Sequence, residues 1–266
     1  MSDKMKVSCI QMDMDFCSPE KNYKKVELLI VDALKNKPDV IVLPEMWNTG
    51  FFPRENLEEY CDIDGQKTKT IIGGLAKKHN VNIVAGSIAN KKGSKVYNTA
   101  YIFDRQGEII GEYDKIHLFS PMDEDKYFTK GDNICTFTLD GKNCGIIICY
   151  DIRFPELTRT MALKGLDCMF VVSQWPDVRI AHLQTLVKSR AIENQMYVVC
   201  CNSCSKAENV VYGGSSMVVS PWGEQLVVAD NKEQVITAEI DYTVVENIRK
   251  SINVFSDRRN EIYELN

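Results

Sequence analysis

Short apolar runs of strand length alternate along this chain with stretches whose apolar residues recur every three or four positions. Residues 6–11 are the first such run. Ser18, Pro19 and Glu20 then supply an N-cap, a proline at the first helical position and an acid in the first turn. Tyr23, Val26, Leu29, Ile30 and Ala33 follow at helical spacing, predicting a helix that lays one apolar face on a sheet and ends by Pro38. Residues 39–45 read as a buried strand delivering Glu45 at its C-terminal end, 70–78 as a helix and 81–86 as the next strand. Residues 97–103 and 108–113 read as a hairpin around a glycine-bearing turn.

The second half repeats the alternation. Residues 142–148 form an apolar strand that ends at Cys149; a polar break follows, and Pro155 and Glu156 open a helix with Leu157, Met161 and Ala162 on its apolar face and Gly165 at its stop. Residues 167–173 are the next strand. Asp177 is placed to cap a longer helix striped by Ile180, Leu183, Val187 and Ala191, and 196–201 is a further strand. Short strands and turns then continue to Ile240. Residues 122–128 show no period and read as a loop, where Asp123, Glu124 and Asp125 would by default be solvated. Each half ends in β-rich segments, which predicts an α/β fold with a two-sheet core and helices outside. No linker divides the chain, so 1–266 reads as one domain with a core of about 5–240. Its last segment, 241–266, suits a helix and an arm packed on the body or on a second subunit.

Composition narrows the function. A net charge of −5 over 266 residues argues against a general nucleic-acid or membrane-surface binder and favours a small-molecule role. The polar opening 1–6 suits neither a signal peptide nor a spanning helix, so a cytoplasmic protein is expected. Ten cysteines then point to reduced thiols rather than a disulfide framework. Cys201 and Cys204 have Cys-x-x-Cys spacing, but no second pair completes a zinc set, and no metal is expected.

Most cysteines are core residues, and Cys144 is read as one. Cys149 differs because a strand tip, a Tyr-Asp-Ile-Arg turn and a helix start surround it. A helix N-terminus would favour the thiolate, and nearby backbone N–H groups could receive an oxyanion. Glu45 and Lys115 also follow predicted strands, where functional groups of α/β folds gather. A thiol to attack a carbonyl or nitrile carbon, a carboxylate to move its proton and an ammonium to hold negative charge together meet the needs of acyl transfer. A cysteine–histidine pair would need one of His79, His117 or His182. The first sits at a polar helix end, the second lies two residues from Lys115 as a candidate supporting group, and the third falls on the Asp177 helix.

Pro44-Glu45, Asp114-Lys115-Ile116-His117-Leu118 and the segment from Cys149 to Glu156 resemble, in order, the three signature segments of the nitrilase superfamily of carbon–nitrogen hydrolases. The resemblance spans roughly residues 5–260. It implies Cys149 as nucleophile, Glu45 as general base and acid, Lys115 as oxyanion-stabilising cation, the Tyr150 backbone N–H as second donor, and Glu124 as an additional glutamate that positions substrate and lysine. It further implies a four-layer α-β-β-α sandwich, a homodimer with C-terminal contacts, and no cofactor.

Residues 45–51 and Gln174-Trp175-Pro176 are most similar to the omega-amidase branch, which hydrolyses the terminal amide of 2-oxo dicarboxylic acid monoamides. Such a substrate carries a carboxylate. Arg153 could supply a bidentate guanidinium and Trp175 could line the pocket, although Arg153 could equally pair with Glu156. Deaminated glutathione, N-carbamoyl compounds and nitriles are the alternative substrates, and a non-enzymatic binding or redox-sensing protein is the alternative class.

Overall fold

The computed structural model describes residues 3–263. The strands β1 (Lys4–Gln11), β2 (Val40–Val42), β3 (Asp62–Ile63), β4 (Asn82–Lys92), β5 (Lys95–Phe103) and β6 (Ile109–Asp114) come first in the chain. They are followed by β7 (Cys135–Leu139), β8 (Lys142–Ile148), β9 (Cys168–Ser173) and β10 (Tyr197–Asn202). The strands β11 (Cys204–Ala207) and β12 (Val210–Gly213) form a small two-stranded sheet, and β13 (Met217–Val219), β14 (Gln225–Val228) and β15 (Gln234–Asp241) complete the set. One sheet runs β15-β1-β2-β4-β5-β6 with β3 added to β4, and the other runs β14-β13-β10-β9-β8-β7. β15 closes the first sheet by pairing antiparallel with β1 along its whole length, from Lys4 opposite Asp241 to Gln11 opposite Gln234.

The helices are α1 (Pro19–Ala33), α2 (Leu57–Tyr60), α3 (Gln66–His79), α4 (Glu124–Tyr127), α5 (Pro155–Ala162), α6 (Ile180–Asn194) and α7 (Thr243–Ser251). Strand periodicity sorts the apolar side chains into layers, because successive residues face opposite sides of a sheet. On β8, Cys144, Ile146 and Ile148 meet Val7, Cys9, Val40 and Val42 between the sheets, whereas Ile147 packs with Leu157 and Met161 of α5 and Leu183 and Val187 of α6. On the far side, Ile10, Ile41 and Ile83 pack with Val26 and Ile30 of α1 and Ile72 of α3. The result is the expected α-β-β-α sandwich. Fully burying each Ile or Leu in such layers contributes about 1.5–3 kcal/mol, which holds both sheets against both helix pairs. Among the described residues, no helix is long and apolar enough to cross a membrane.

Several boundaries differ from the sequence reading. β2 ends at Val42, and the chain leaves the sheet before Glu45. Gly86 explains this departure: its φ is +61°, and a Cβ there would lie 2.0 Å from the Pro44 carbonyl oxygen. β4 therefore bulges between Val84 and Ser87 and runs on to Lys92, instead of stopping at the glycine. Residues 122–128 are not an irregular loop but include the single helical turn α4. Asp177 opens a 3-10 turn (Asp177–Arg179), so the long helix begins at Ile180. At the C-terminus, α7 buries Val245 and Ile248, and Phe255 packs beside the α5–α6 layer. The end of the expected arm, 264–266, lies outside the described residues.

Candidate active site

Glu45, Lys115, Cys149 and Glu124 converge on one cavity that opens to solvent. Lys115 follows β6 directly, and its backbone is fixed by donating to the Asn98 carbonyl and accepting from Gly131. Its Nζ lies 2.9 Å from Glu45 Oε1 and 2.9 and 3.0 Å from the two Glu124 oxygens. All three side chains are at least 94% buried. Glu45 is held from further sides: Asn98 Nδ2 donates to Oε1 at 2.9 Å, and the Gln174 backbone N–H donates to Oε2 at 2.9 Å. Glu124 accepts the Phe119 N–H at 2.6 Å, which is why the residue is inward while Asp125 is exposed and Asp123 pairs with Lys126.

The charges follow from this geometry. Burial opposes the Lys115 ammonium, but Glu124 and Glu45 outweigh it and carry the group well above the ordinary lysine range. Burial also pushes the Glu124 carboxyl up; Lys115 draws it down, and Glu45 adds to the rise.

Cys149 occupies the tip of β8 with φ +47°, a left-handed conformation that costs a residue with a Cβ about 1–2 kcal/mol. The helix starts at Pro155, as the sequence predicts, and the polar break before it is a turn. Residues Cys149–Arg153 make this 3-10 turn, and the missing N–H and fixed φ of Pro155 set the first helical position of α5 there. The surroundings of the sulfur oppose the expected lowering of the thiol. Burial pushes the Cys149 thiol well above its ordinary range and Glu45 pushes the same way, against the Lys115 ammonium and the Gln174 N–H.

The turn is held by Asp151, a wholly buried residue. Its Oδ2 accepts from Ile148 N–H at 3.0 Å and Tyr113 Oη at 2.7 Å, and its Oδ1 contacts His117. His117 stacks on Phe154 at 3.6 Å and is not part of the cavity wall. Tyr150, whose backbone N–H the sequence reading singled out, is the second residue of the turn and packs its ring edge-on to Phe119 and Phe154.

Arg153 and Trp175 both line the cavity, with the guanidinium 4.7 Å from the indole centroid. The alternative ion pair with Glu156 does not form. Among the described residues Arg153 has no carboxylate within salt-bridge reach, and its Nη2 lies 3.4 Å from His182 Nδ1. Trp175 is anchored by Nε1 donating to the Arg179 carbonyl and by its N–H donating to Asn202 Oδ1. Sequence reasoning missed Asn98, Gln174, Arg179 and Tyr212. Asn98 carried a signal, since it interrupts the core-facing series that continues with Ala100 and Ile102 on β5. Among the described residues, no group of three or more His, Cys, Asp or Glu side chains is arranged to hold a metal ion.

A two-sheet sandwich with these buried groups at its strand ends is the architecture of the nitrilase superfamily, and the chain belongs to the carbon–nitrogen hydrolase family, which it matches over residues 6–250. It is therefore an enzyme of carbon–nitrogen bond hydrolysis. It is 43% identical over 260 residues to the 2-oxoglutaramate amidase of Bacillus subtilis, covering 98% of this chain and 100% of that protein. The omega-amidase NIT2 of Danio rerio is 31% identical, with 99% and 98% of the two chains covered. The crystal structure of Saccharomyces cerevisiae Nit3, a member of branch 10 of the nitrilase superfamily, superposes with a TM-score of 0.89 at 29% identity, covering 96% of this chain and 97% of that one.

Proposed function

We propose that this chain hydrolyses the terminal amide of a small carboxylate-bearing substrate of the 2-oxoglutaramate or 2-oxosuccinamate type, releasing ammonia through a cysteine thioester. The observation that carries the reading is the buried Glu45–Lys115–Glu124 cluster beside Cys149, in a cavity that also presents the Arg153 guanidinium, which meets no carboxylate among the described residues. The similarity to a 2-oxoglutaramate amidase supports the substrate class.

In this mechanism Cys149 Sγ attacks the amide carbon as its proton passes to Glu45. Lys115 Nζ and the Tyr150 N–H receive the developing oxyanion, each such donor being worth about 3–4 kcal/mol in a dry site. Glu45 returns the proton to nitrogen, the C–N bond breaks and ammonia leaves a thioester. Water then gives a proton to Glu45 and attacks the thioester carbon; the C–S bond breaks, sulfur recovers the proton and the acid departs. Proton transfer of this kind contributes about 10²–10⁴-fold. Glu124 touches Lys115 and so positions the ammonium. The residues require no metal or organic cofactor for any of these steps.

Trp175 and Arg153 are assigned to the substrate's far end, a guanidinium on a carboxylate being the strong bidentate pair. The test is ammonia release from 2-oxoglutaramate, 2-oxosuccinamate, deaminated glutathione, N-carbamoyl-β-alanine and simple nitriles. A wide margin for deaminated glutathione would reject the branch, and reversible thiol oxidation with no ammonia from any substrate would favour a redox sensor. We further propose one domain over 1–266, a cytoplasmic setting in keeping with ten free thiols, and a homodimer using the C-terminal segment 241–266. Sedimentation of the full chain and of a chain truncated after Ser251 tests the dimer.

A further inference from the structure

The cavity holds polar groups that the proposed chemistry leaves unused. Tyr212, on β12, is 2% exposed and its hydroxyl has no hydrogen-bond partner, although a buried unpaired hydroxyl costs roughly 1–3 kcal/mol. It lines the same cavity as Cys149, and Glu45 and Cys149 are close enough to act electrostatically on its ring. Burial and these neighbours raise the phenol far above its ordinary range, so it stays a neutral O–H donor. Arg179 is the second such group. Its guanidinium lies 5.6 Å from the Phe119 centroid and, among the described residues, meets no carboxylate within salt-bridge reach. It also borders the neighbouring outer groove with Val178 and Val211, which places it toward the mouth.

Tyr212 is thus within electrostatic reach of the sulfur, Arg153 lines the same cavity, and Arg179 also borders the outer groove. A 2-oxo dicarboxylic acid monoamide carries beyond its amide an acceptor and an anion, the oxo oxygen and the carboxylate, which suit an unpartnered hydroxyl donor and guanidiniums. We propose that Tyr212 and Arg179 determine specificity, Tyr212 Oη donating to the oxo oxygen on the carbon next to the terminal carboxylate and Arg179 joining Arg153 on that carboxylate. The inference rests on the amidase reading and adds to it a requirement for the oxo group. A donor built for one acceptor discriminates against analogues that lack it, because it is then left buried and unpaired.

Three amides of graded polarity separate the roles: 2-oxoglutaramate, glutaric acid monoamide, which lacks the oxo group, and pentanamide, which also lacks the carboxylate. In Tyr212→Phe, the kcat/KM ratio of the first to the second should fall at least tenfold, through KM more than kcat. In Arg179→Gln, the ratio of the second to the third should fall at least tenfold. Tyr212→Phe should melt at the wild-type temperature or above it, since the change deletes an unsatisfied hydroxyl. Equal losses on all three amides, unchanged ratios, or a Tm lowered by several degrees would overturn the assignment. Should the wild type release no ammonia from any of them, the amidase reading fails separately. Calorimetric binding of 2-oxoglutarate against glutarate then decides: a preference for 2-oxoglutarate that Tyr212→Phe abolishes upholds the subsite, and no preference overturns it.

Discussion

Asp151 grips His117 twice with one oxygen, accepting its backbone N–H at 2.9 Å and lying 2.8 Å from its Nδ1. With Tyr113 and Ile148 on the other oxygen, this buried carboxylate ties the residues flanking Lys115 to the turn that carries Cys149. The expected spacing of ammonium and sulfur thus depends on a residue that touches neither. Asp151→Ala leaves buried donors without an acceptor and should destabilise the fold by about 3 kcal/mol or more. Urea unfolding measures that loss. A variant within about 1 kcal/mol of wild type would show that the four contacts are incidental.

The upward push on the Cys149 thiol has a kinetic consequence. Because burial and Glu45 hold the thiol above its ordinary range, the thiolate is made only when a proton can move to a partner. Modification of the free protein by methyl methanethiosulfonate, followed by the mass of the Cys149 peptide, should be slower at pH 7 than that of free cysteine. Its rate should still be climbing at pH 9. A plateau reached below pH 7 would mean a preformed thiolate and a different activation of the sulfur.

Cys144 and Cys149 lie five residues apart and separate structure from chemistry. Cys144 is wholly buried between the sheets, in register with Cys168 on β9, whereas Cys149 is partly exposed to the cavity. Cys144→Ala should cost about 1 kcal/mol through lost contacts and keep its ammonia release. Cys149→Ala should unfold like wild type and release none. Activity surviving in the second and not the first would identify the other thiol as the nucleophile.

Much of this arrangement was visible in the chain itself. The apolar runs ending at Glu45 and Cys149 marked strand ends, and a strand end is where the polypeptide leaves the sheet and a side chain gains room to act. Glu124 was visible only through family resemblance, because a lone acid in a polar stretch looks the same whether it is solvated or, as here, turned onto Lys115. The rest depended on three-dimensional facts with no sequence period. Gln174 acts on Glu45 through its backbone N–H, which every residue but proline has. Tyr212 is noteworthy only because its hydroxyl lacks a partner, and Cys149 because its φ is positive, neither of which side-chain pattern encodes.

Lys115 is the residue whose removal should bind stability to pH. In the wild type its ammonium has a folded pKa above the unfolded value near 10.4, so its contribution is fully present below that value and is lost as pH rises through the folded one. Glu124 has the opposite effect: its folded pKa is raised, so the fold is penalised progressively as pH climbs from the unfolded value near 4.3 through the folded one. Lys115→Met deletes the ammonium and leaves Glu45 and Glu124 facing each other in a dry site, where the two oppose ionisation more strongly. Breaking such a buried pair costs about 3–5 kcal/mol. The deficit relative to wild type should therefore widen from pH 4 to pH 8, because without the ammonium nothing draws the buried Glu124 carboxyl down toward ionisation. Urea midpoints across that range decide the matter. A deficit that stays constant with pH would mean that the carboxylates are not the groups Lys115 neutralises, and a deficit that narrows would reverse the sign of the coupling.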